Sequence, residues 1–87
     1  MSRAFEAILR YLSEHPNAND TLQGVTQWWL LAEGHAWSQM EIQDALGAAA
    51  EQGLVLEIKG ADGQIRYCLM PGELDEIRHL LGSYPSD

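Results

Sequence analysis

Positive charge is scarce in this sequence. Five lysine and arginine residues stand against thirteen aspartate and glutamate residues, so the formal net charge is −8 at pH 7. A surface with this balance repels phosphate backbones and anionic membranes at long range, and it attracts basic protein surfaces. The composition therefore disfavours nucleic acid as the partner and favours a protein partner, which we expect to be basic.

Cysteine and long apolar runs are also scarce. The single cysteine, Cys68, cannot form a disulfide within the chain, which fits a reducing compartment. The amino terminus lacks the apolar run of a signal peptide, and no stretch approaches the roughly 20 apolar residues of a membrane-spanning helix. We therefore expect a cytoplasmic protein that makes no contact with a membrane.

The chain has 87 residues, which fits one domain, and 46% of them are hydrophobic, which is enough for one core without a metal. A domain of this size has modest stability, so a homodimer would be a natural supplement. We expect the domain to cover residues 1–82 and a flexible tail to cover residues 83–87.

Apolar residues at helical spacing predict a first helix over residues 3–14 and a second over residues 21–32. Between them, residues 17–20 are expected to form a polar linker. Asp20 is expected to cap the second helix in a capping box with Gln23. Leu22, Val25 and Trp29 share one face of the second helix, and either Trp28 or Trp29 should fill the core.

A third helix is predicted over residues 39–52. Ser38 followed by Glu41 is a second capping-box pattern. Gly53 stands where a left-handed carboxyl-terminal cap is expected. Leu46 belongs to the apolar side of this helix, together with Ile42.

The periodicity then changes from helical to alternating. Residues 54–59 and 64–70 alternate as strands do, and Asp62-Gly63 between them favours a tight antiparallel hairpin. A last helix is predicted over residues 73–81, after Pro71.

Three helices, a two-stranded hairpin and a short helix, in this order, resemble the winged-helix variant of helix-turn-helix folds. The resemblance is carried by residues 38–46 as the start of the third helix, by residues 52–55 as its exit, and by residues 56–69 as the wing. It implies an α+β fold in which a three-helix bundle precedes a two-stranded antiparallel hairpin and a carboxyl-terminal helix. Many winged-helix proteins bind DNA through the third helix, and others use the scaffold for protein contacts.

The third helix carries Glu41, Asp44 and Glu51 and no lysine or arginine. Since affinity for DNA comes largely from cations that neutralise phosphates, this helix is better suited to a basic protein partner. Trp28 and Trp37 are further candidates for the interface, because tryptophan is frequent at binding hot spots. The plainer alternative is an acidic, solvated surface and tryptophans that only fill the core.

The alternative function is a dimeric DNA-binding transcription regulator. Gln39 and Gln43 would then read base edges, while Lys59 and Arg66 on the wing would contact phosphates. This interpretation needs a dimer that aligns several cations along one groove.

Catalysis and metal binding find no support in the sequence. The three histidines, His15, His35 and His79, lie in different elements without the close spacing of a metal site. Cys68 is out of phase with the apolar positions of its strand, so we expect a small hydrophobic residue on the other hairpin face and no nucleophile. We expect a protein without enzymatic activity, without a metal and without a cofactor.

Overall fold

The computed structural model describes residues 3–29 and 37–82, and it has a mixed α+β fold. Four α-helices and a three-stranded antiparallel sheet are described in this part of the chain. The elements follow one another as α1 (Arg3–Glu14), β1 (Asn19–Thr21), α2 (Leu22–Gly24), a π-helical segment (Val25–Trp29), α3 (Gln39–Glu51), β2 (Val55–Lys59), β3 (Ile65–Leu69) and α4 (Leu74–Leu80). The expected tail over residues 83–87 lies outside the described residues.

The sheet has three strands, where the sequence predicted two. The predicted hairpin of β2 and β3 is present, and β1 pairs antiparallel with the other side of β3, so the strand order is β1-β3-β2. Asn19 lies opposite Cys68, and Thr21 lies opposite Arg66. The prediction of a polar linker over residues 17–20 was therefore wrong at its end, because the backbone there finds hydrogen-bonding partners on β3.

The second predicted helix, over residues 21–32, is built differently from an ordinary α-helix. The short α2 continues into the π-helical segment, and the end of the prediction, residues 30–32, lies outside the described residues. The helix begins one residue later than expected, because Thr21 and not Asp20 is its cap: Gly24 N–H donates to Thr21 Oγ1 at 3.3 Å. The expected capping box of Asp20 and Gln23 is therefore wrong. Thr26 Oγ1 also donates a hydrogen bond to the Leu22 carbonyl oxygen at 2.9 Å. In a regular α-helix the backbone N–H of residue 26 would use this carbonyl, so the Thr26 hydroxyl competes with the helical hydrogen bond.

The third helix follows its prediction closely. Glu41 N–H donates to Ser38 Oγ, and Ser38 N–H donates to Glu41 Oε1, each at 3.1 Å, which confirms the capping box. At the other end, Gly53 has φ 76°, a left-handed conformation that favours glycine. The capping box and the left-handed Gly53 thus mark the two ends of α3.

The core lies between α1, α3, α4, the π-helical segment and the inner face of the sheet. Leu9 and Leu12 of α1, Leu46 of α3 and Ile77 of α4 are completely buried. Val25 and Trp29, which the helical spacing placed on one face, are both buried. None of the helices in the described ranges has the length and apolar character needed to cross a lipid bilayer.

Candidate functional site

The outward side of α3 is the first candidate surface. Apolar residues at helical spacing, including Ile42, Leu46 and Ala49, are buried, so the opposite side of the helix faces solvent. All five residues that the sequence singled out on this helix are exposed there: Gln39, Glu41, Gln43, Asp44 and Glu51.

An apolar residue and two small residues interrupt this polar side. Met40 is 72% exposed, which is the highest exposure among the large hydrophobic residues described. Gly47 and Ala48 are exposed about two turns further along, and a Cβ added to Gly47 would meet no atom within 4 Å. A partner could therefore bring its side chains close to the helix backbone at this point. The surface combines carboxylates, one flexible thioether and two small residues.

A groove opens beside the beginning of α3. It has a volume of about 400 Å³ and is lined by Gln23, Thr26, Gln27, Trp37 and Gln39. Trp37 is half-buried and packs against the core, so it joins the wall of the groove to the interior of the domain. Side-chain amides and a hydroxyl offer both donors and acceptors here without charge. The groove is suited to a neutral polar segment next to an apolar side chain.

No family model matches the chain, and neither a curated protein nor a solved structure matches it.

The two cations of the hairpin do not share a face of the sheet. Lys59 lies opposite Ile65, whereas Arg66 lies opposite Ile58, and successive side chains along a strand point to opposite faces of the sheet. Arg66 also forms an exposed ion pair of 3.8 Å with Asp62. The structure thus places Lys59 and Arg66 on one hairpin without bringing them together.

Two of the remaining cations are engaged on the terminal helices. Arg10 forms an ion pair of 3.0 Å with Glu6, and Arg78 donates to Ser13 O at 3.4 Å. The positive charges are therefore dispersed over the described surface, and none of them lies on α3.

Trp29 belongs to an aromatic stack and not to an exposed surface. Its ring stacks on Tyr11 with a centroid distance of 5.2 Å, and its Nε1–H donates to Asp20 Oδ2 at 2.8 Å. The His15 ring also contacts Tyr11, at a centroid distance of 4.4 Å and a tilt of 33°. These contacts connect α1, β1 and the π-helical segment. The side chain of Trp28, the other residue of the pair, lies outside the described part.

Asp20 is the residue whose role sequence reasoning missed. It was interpreted as a helix cap, but its carboxylate accepts the indole N–H nine residues later in the chain. The only available signal was the requirement that a buried tryptophan N–H find an acceptor, and that requirement does not say which acceptor.

A second groove lies between the beginning of α2 and the hairpin. It has a volume of about 350 Å³, and its wall includes Leu22, Ile65 and Tyr67. Burial raises the pKa of the Tyr67 phenol above 10.0, and the negative charge of Glu57 opposite it raises the pKa further. The phenol is therefore neutral at neutral pH, which makes it a hydrogen-bonding group and a poor nucleophile.

Within residues 3–29 and 37–82, no cluster of three or more histidine, cysteine, aspartate or glutamate side chains is arranged to hold a metal ion. Cys68 is a half-buried thiol, and the strand alternation places it on the face opposite Tyr67.

Proposed function

We propose that this chain is a small, non-catalytic winged-helix module that binds a basic protein partner through the outward side of α3 and the groove beside Trp37. The observation that carries the proposal is the composition of that side: three exposed carboxylates, no cation, and Met40 at 72% exposure. The order of helices, hairpin and final helix supports the winged-helix arrangement.

The chemistry of the surface indicates the partner. Basic side chains would pair with Glu41, Asp44 and Glu51, and an apolar side chain would cover Met40. Methionine suits such a contact because its flexible, polarisable side chain adapts to different shapes. The groove beside Trp37 would take a neighbouring polar segment of the same partner.

One observation supports the alternative function, which is DNA binding. Gln39 and Gln43 are exposed on α3, and glutamine can hydrogen-bond adenine. However, base contacts need phosphate contacts to hold the protein in register, and Lys59 and Arg66 point to opposite faces of the hairpin. The protein-binding proposal therefore has the stronger physical support.

The test compares two probes by NMR titration of the isotopically labelled protein. One is an amphipathic helical peptide that carries lysine and arginine on one side and leucine on the other, and the second is duplex DNA at low and moderate salt. We expect the peptide to shift the amide signals of α3 and of Trp37. Neutralising three carboxylates by Glu41→Gln, Asp44→Asn and Glu51→Gln should weaken peptide binding about tenfold, since each exposed ion pair contributes roughly 0.5 kcal/mol. Glutamine at position 41 can still accept the capping hydrogen bond.

The matched control has the same change in net charge elsewhere. Glu14→Gln, Asp75→Asn and Glu76→Gln neutralise three exposed carboxylates on α1 and α4. This variant should bind the peptide within about threefold of the unmodified protein, because only long-range attraction is reduced. Equal losses in the two variants would refute the α3 surface. Tight DNA binding that persists at moderate salt would favour the transcription-regulator alternative.

A further inference from the structure

The outer edge of β2 has no neighbouring strand in the described part of the chain, because the strand order is β1-β3-β2. The direction of its backbone groups follows from the ends of the hairpin. Gly60 N–H donates to Gln64 O at 2.8 Å, and Met70 N–H donates to Leu54 O at 2.9 Å. Hydrogen-bonded positions alternate along an antiparallel strand, so the even-numbered residues of β2 direct their backbone groups toward β3.

The backbone groups of Val55, Glu57 and Lys59 therefore point away from the sheet. An open edge of this kind is a template for another strand. We propose that the outer edge of β2 pairs antiparallel with β2 of a second copy of this chain, about a two-fold axis through Ile58. This edge is separate from the outward side of α3, so the inference does not depend on the proposed function.

Charge selects the register of this pairing. A two-fold axis through Ile58 places Glu57 opposite Lys59 of the second copy, and the symmetry creates this ion pair twice. An axis through Glu57 or through Lys59 would place like charges opposite each other, which is destabilising. An axis through Leu56 would place Glu57 opposite Val55 and lose both ion pairs. The outward-pointing backbone groups of Glu57 and Lys59 fit the hydrogen-bonded positions of the selected register.

Apolar burial favours the same register. Ile58 is 41% exposed in the single chain, and its own backbone groups are used by β3. In the selected register Ile58 occupies the non-hydrogen-bonded position opposite its counterpart, where cross-strand side chains come closest. The two isoleucines would cover each other, and the half-buried Leu56 lies on the same face.

Charged residues on an edge strand usually prevent such pairing. Here the two charges have opposite signs and lie two residues apart, so they complement a second copy. The net charge of −8 on each copy opposes association at long range, and salt at about 0.1 M screens that repulsion beyond roughly 10 Å. Since one strand pair buries little surface, we expect a weak dimer with a dissociation constant on the order of 10⁻⁴ M.

The test is to reverse the charges at positions 57 and 59 and to measure the dissociation constant of the dimer by sedimentation equilibrium at several protein concentrations. Lys59→Glu or Glu57→Lys alone would replace both ion pairs with like-charge pairs and should weaken the dimer at least tenfold. The double variant Glu57→Lys/Lys59→Glu restores both ion pairs with reversed polarity. It should dimerise within about threefold of the unmodified chain.

Two control variants change the net charge by the same amounts away from β2. Arg3→Glu on α1 matches Lys59→Glu, and Glu14→Lys at the end of α1 matches Glu57→Lys. Both positions are exposed. The controls should change the dissociation constant by less than about threefold, since they alter only screened, long-range repulsion. Circular dichroism establishes that every variant is folded.

A second measurement uses the unmodified protein, so it does not depend on the folding of any variant. In a mixture of isotopically labelled and unlabelled chains, the Hα atoms of Ile58 from the two copies should show an intermolecular NOE. The proposal is overturned if the chain stays monomeric up to about 1 mM. It is equally overturned if the dimer persists unchanged in Lys59→Glu, or if the folded double variant does not dimerise.

Discussion

The hydrogen bond between Asp20 and Trp29 makes a quantitative prediction about stability. Trp29 is 2% exposed, so Asp20→Ala would leave its indole N–H buried without this acceptor. A hydrogen bond to a charged group contributes roughly 1.5–3 kcal/mol, and we expect Asp20→Ala to lower the free energy of unfolding by about 2 kcal/mol. For a domain of this size that loss corresponds to a decrease in Tm of roughly 8–16 °C.

Urea and thermal unfolding followed by far-ultraviolet circular dichroism measure this effect. Asn19→Ala is the matched control, because Asn19 lies beside Asp20 in β1 and its side chain is exposed. Asp20→Asn should lose only about 1 kcal/mol, since the amide oxygen can still accept the indole N–H.

A double-mutant cycle with Trp29→Phe isolates the hydrogen bond from the loss of indole volume. In the Trp29→Phe background, Asp20→Ala should cost about 1–2 kcal/mol less than it does in the unmodified protein. The reasoning is refuted if the two changes are additive, or if Asp20→Ala and Asn19→Ala destabilise the domain equally.

Further predictions concern two glycines and one tyrosine. Gly24→Ala would place a Cβ 2.8 Å from the Asp20 side chain and should lower the free energy of unfolding by about 1–3 kcal/mol, whereas Gly47→Ala on open helix surface should raise it by roughly 0.5–1 kcal/mol. Urea unfolding measures both, and effects of the same sign would contradict the packing around Gly24. The pKa of Tyr67 is raised first by burial and then by Glu57, so Glu57→Gln should lower that pKa, as read from the ring NMR signals during an alkaline titration. Because the folded-state pKa exceeds the ordinary value of 10.0, the stabilising contribution of the neutral phenol should be complete below pH 10.0 and lost as the pH rises through the folded-state pKa. An unchanged pKa in Glu57→Gln would argue against the charge effect.

Much of the local structure could be predicted from the sequence, because its signals act over a few residues. The apolar spacing of α1 predicted a helix over residues 3–14, and the structure has the same bounds. Ser38 and Glu41 marked the beginning of α3, since a capping box needs only two side chains and the backbone between them. Gly53 marked its end for an equally local reason: glycine adopts the left-handed conformation with little strain.

The strand β1 could not be predicted in this way. Its three residues, Asn19–Thr21, have no apolar alternation, and polar residues of this kind usually form turns. They become a strand only because β3 offers backbone partners far away in the sequence, at Arg66, Tyr67 and Cys68. Asp20 therefore lies in a strand and does not cap α2, and its carboxylate accepts the hydrogen bond of the Trp29 indole.

The candidate binding surfaces also combine features that the sequence predicts with features that depend on the tertiary structure. The sequence by itself determined that α3 carries carboxylates without cations, and the helical period determined that they lie on its outward side. Only the tertiary structure decided that Lys59 and Arg66 point to opposite faces and that the backbone of Glu57 faces the open edge. The physical reason is that strand register depends on long-range pairing, and a shift of one residue would move every side chain to the other face.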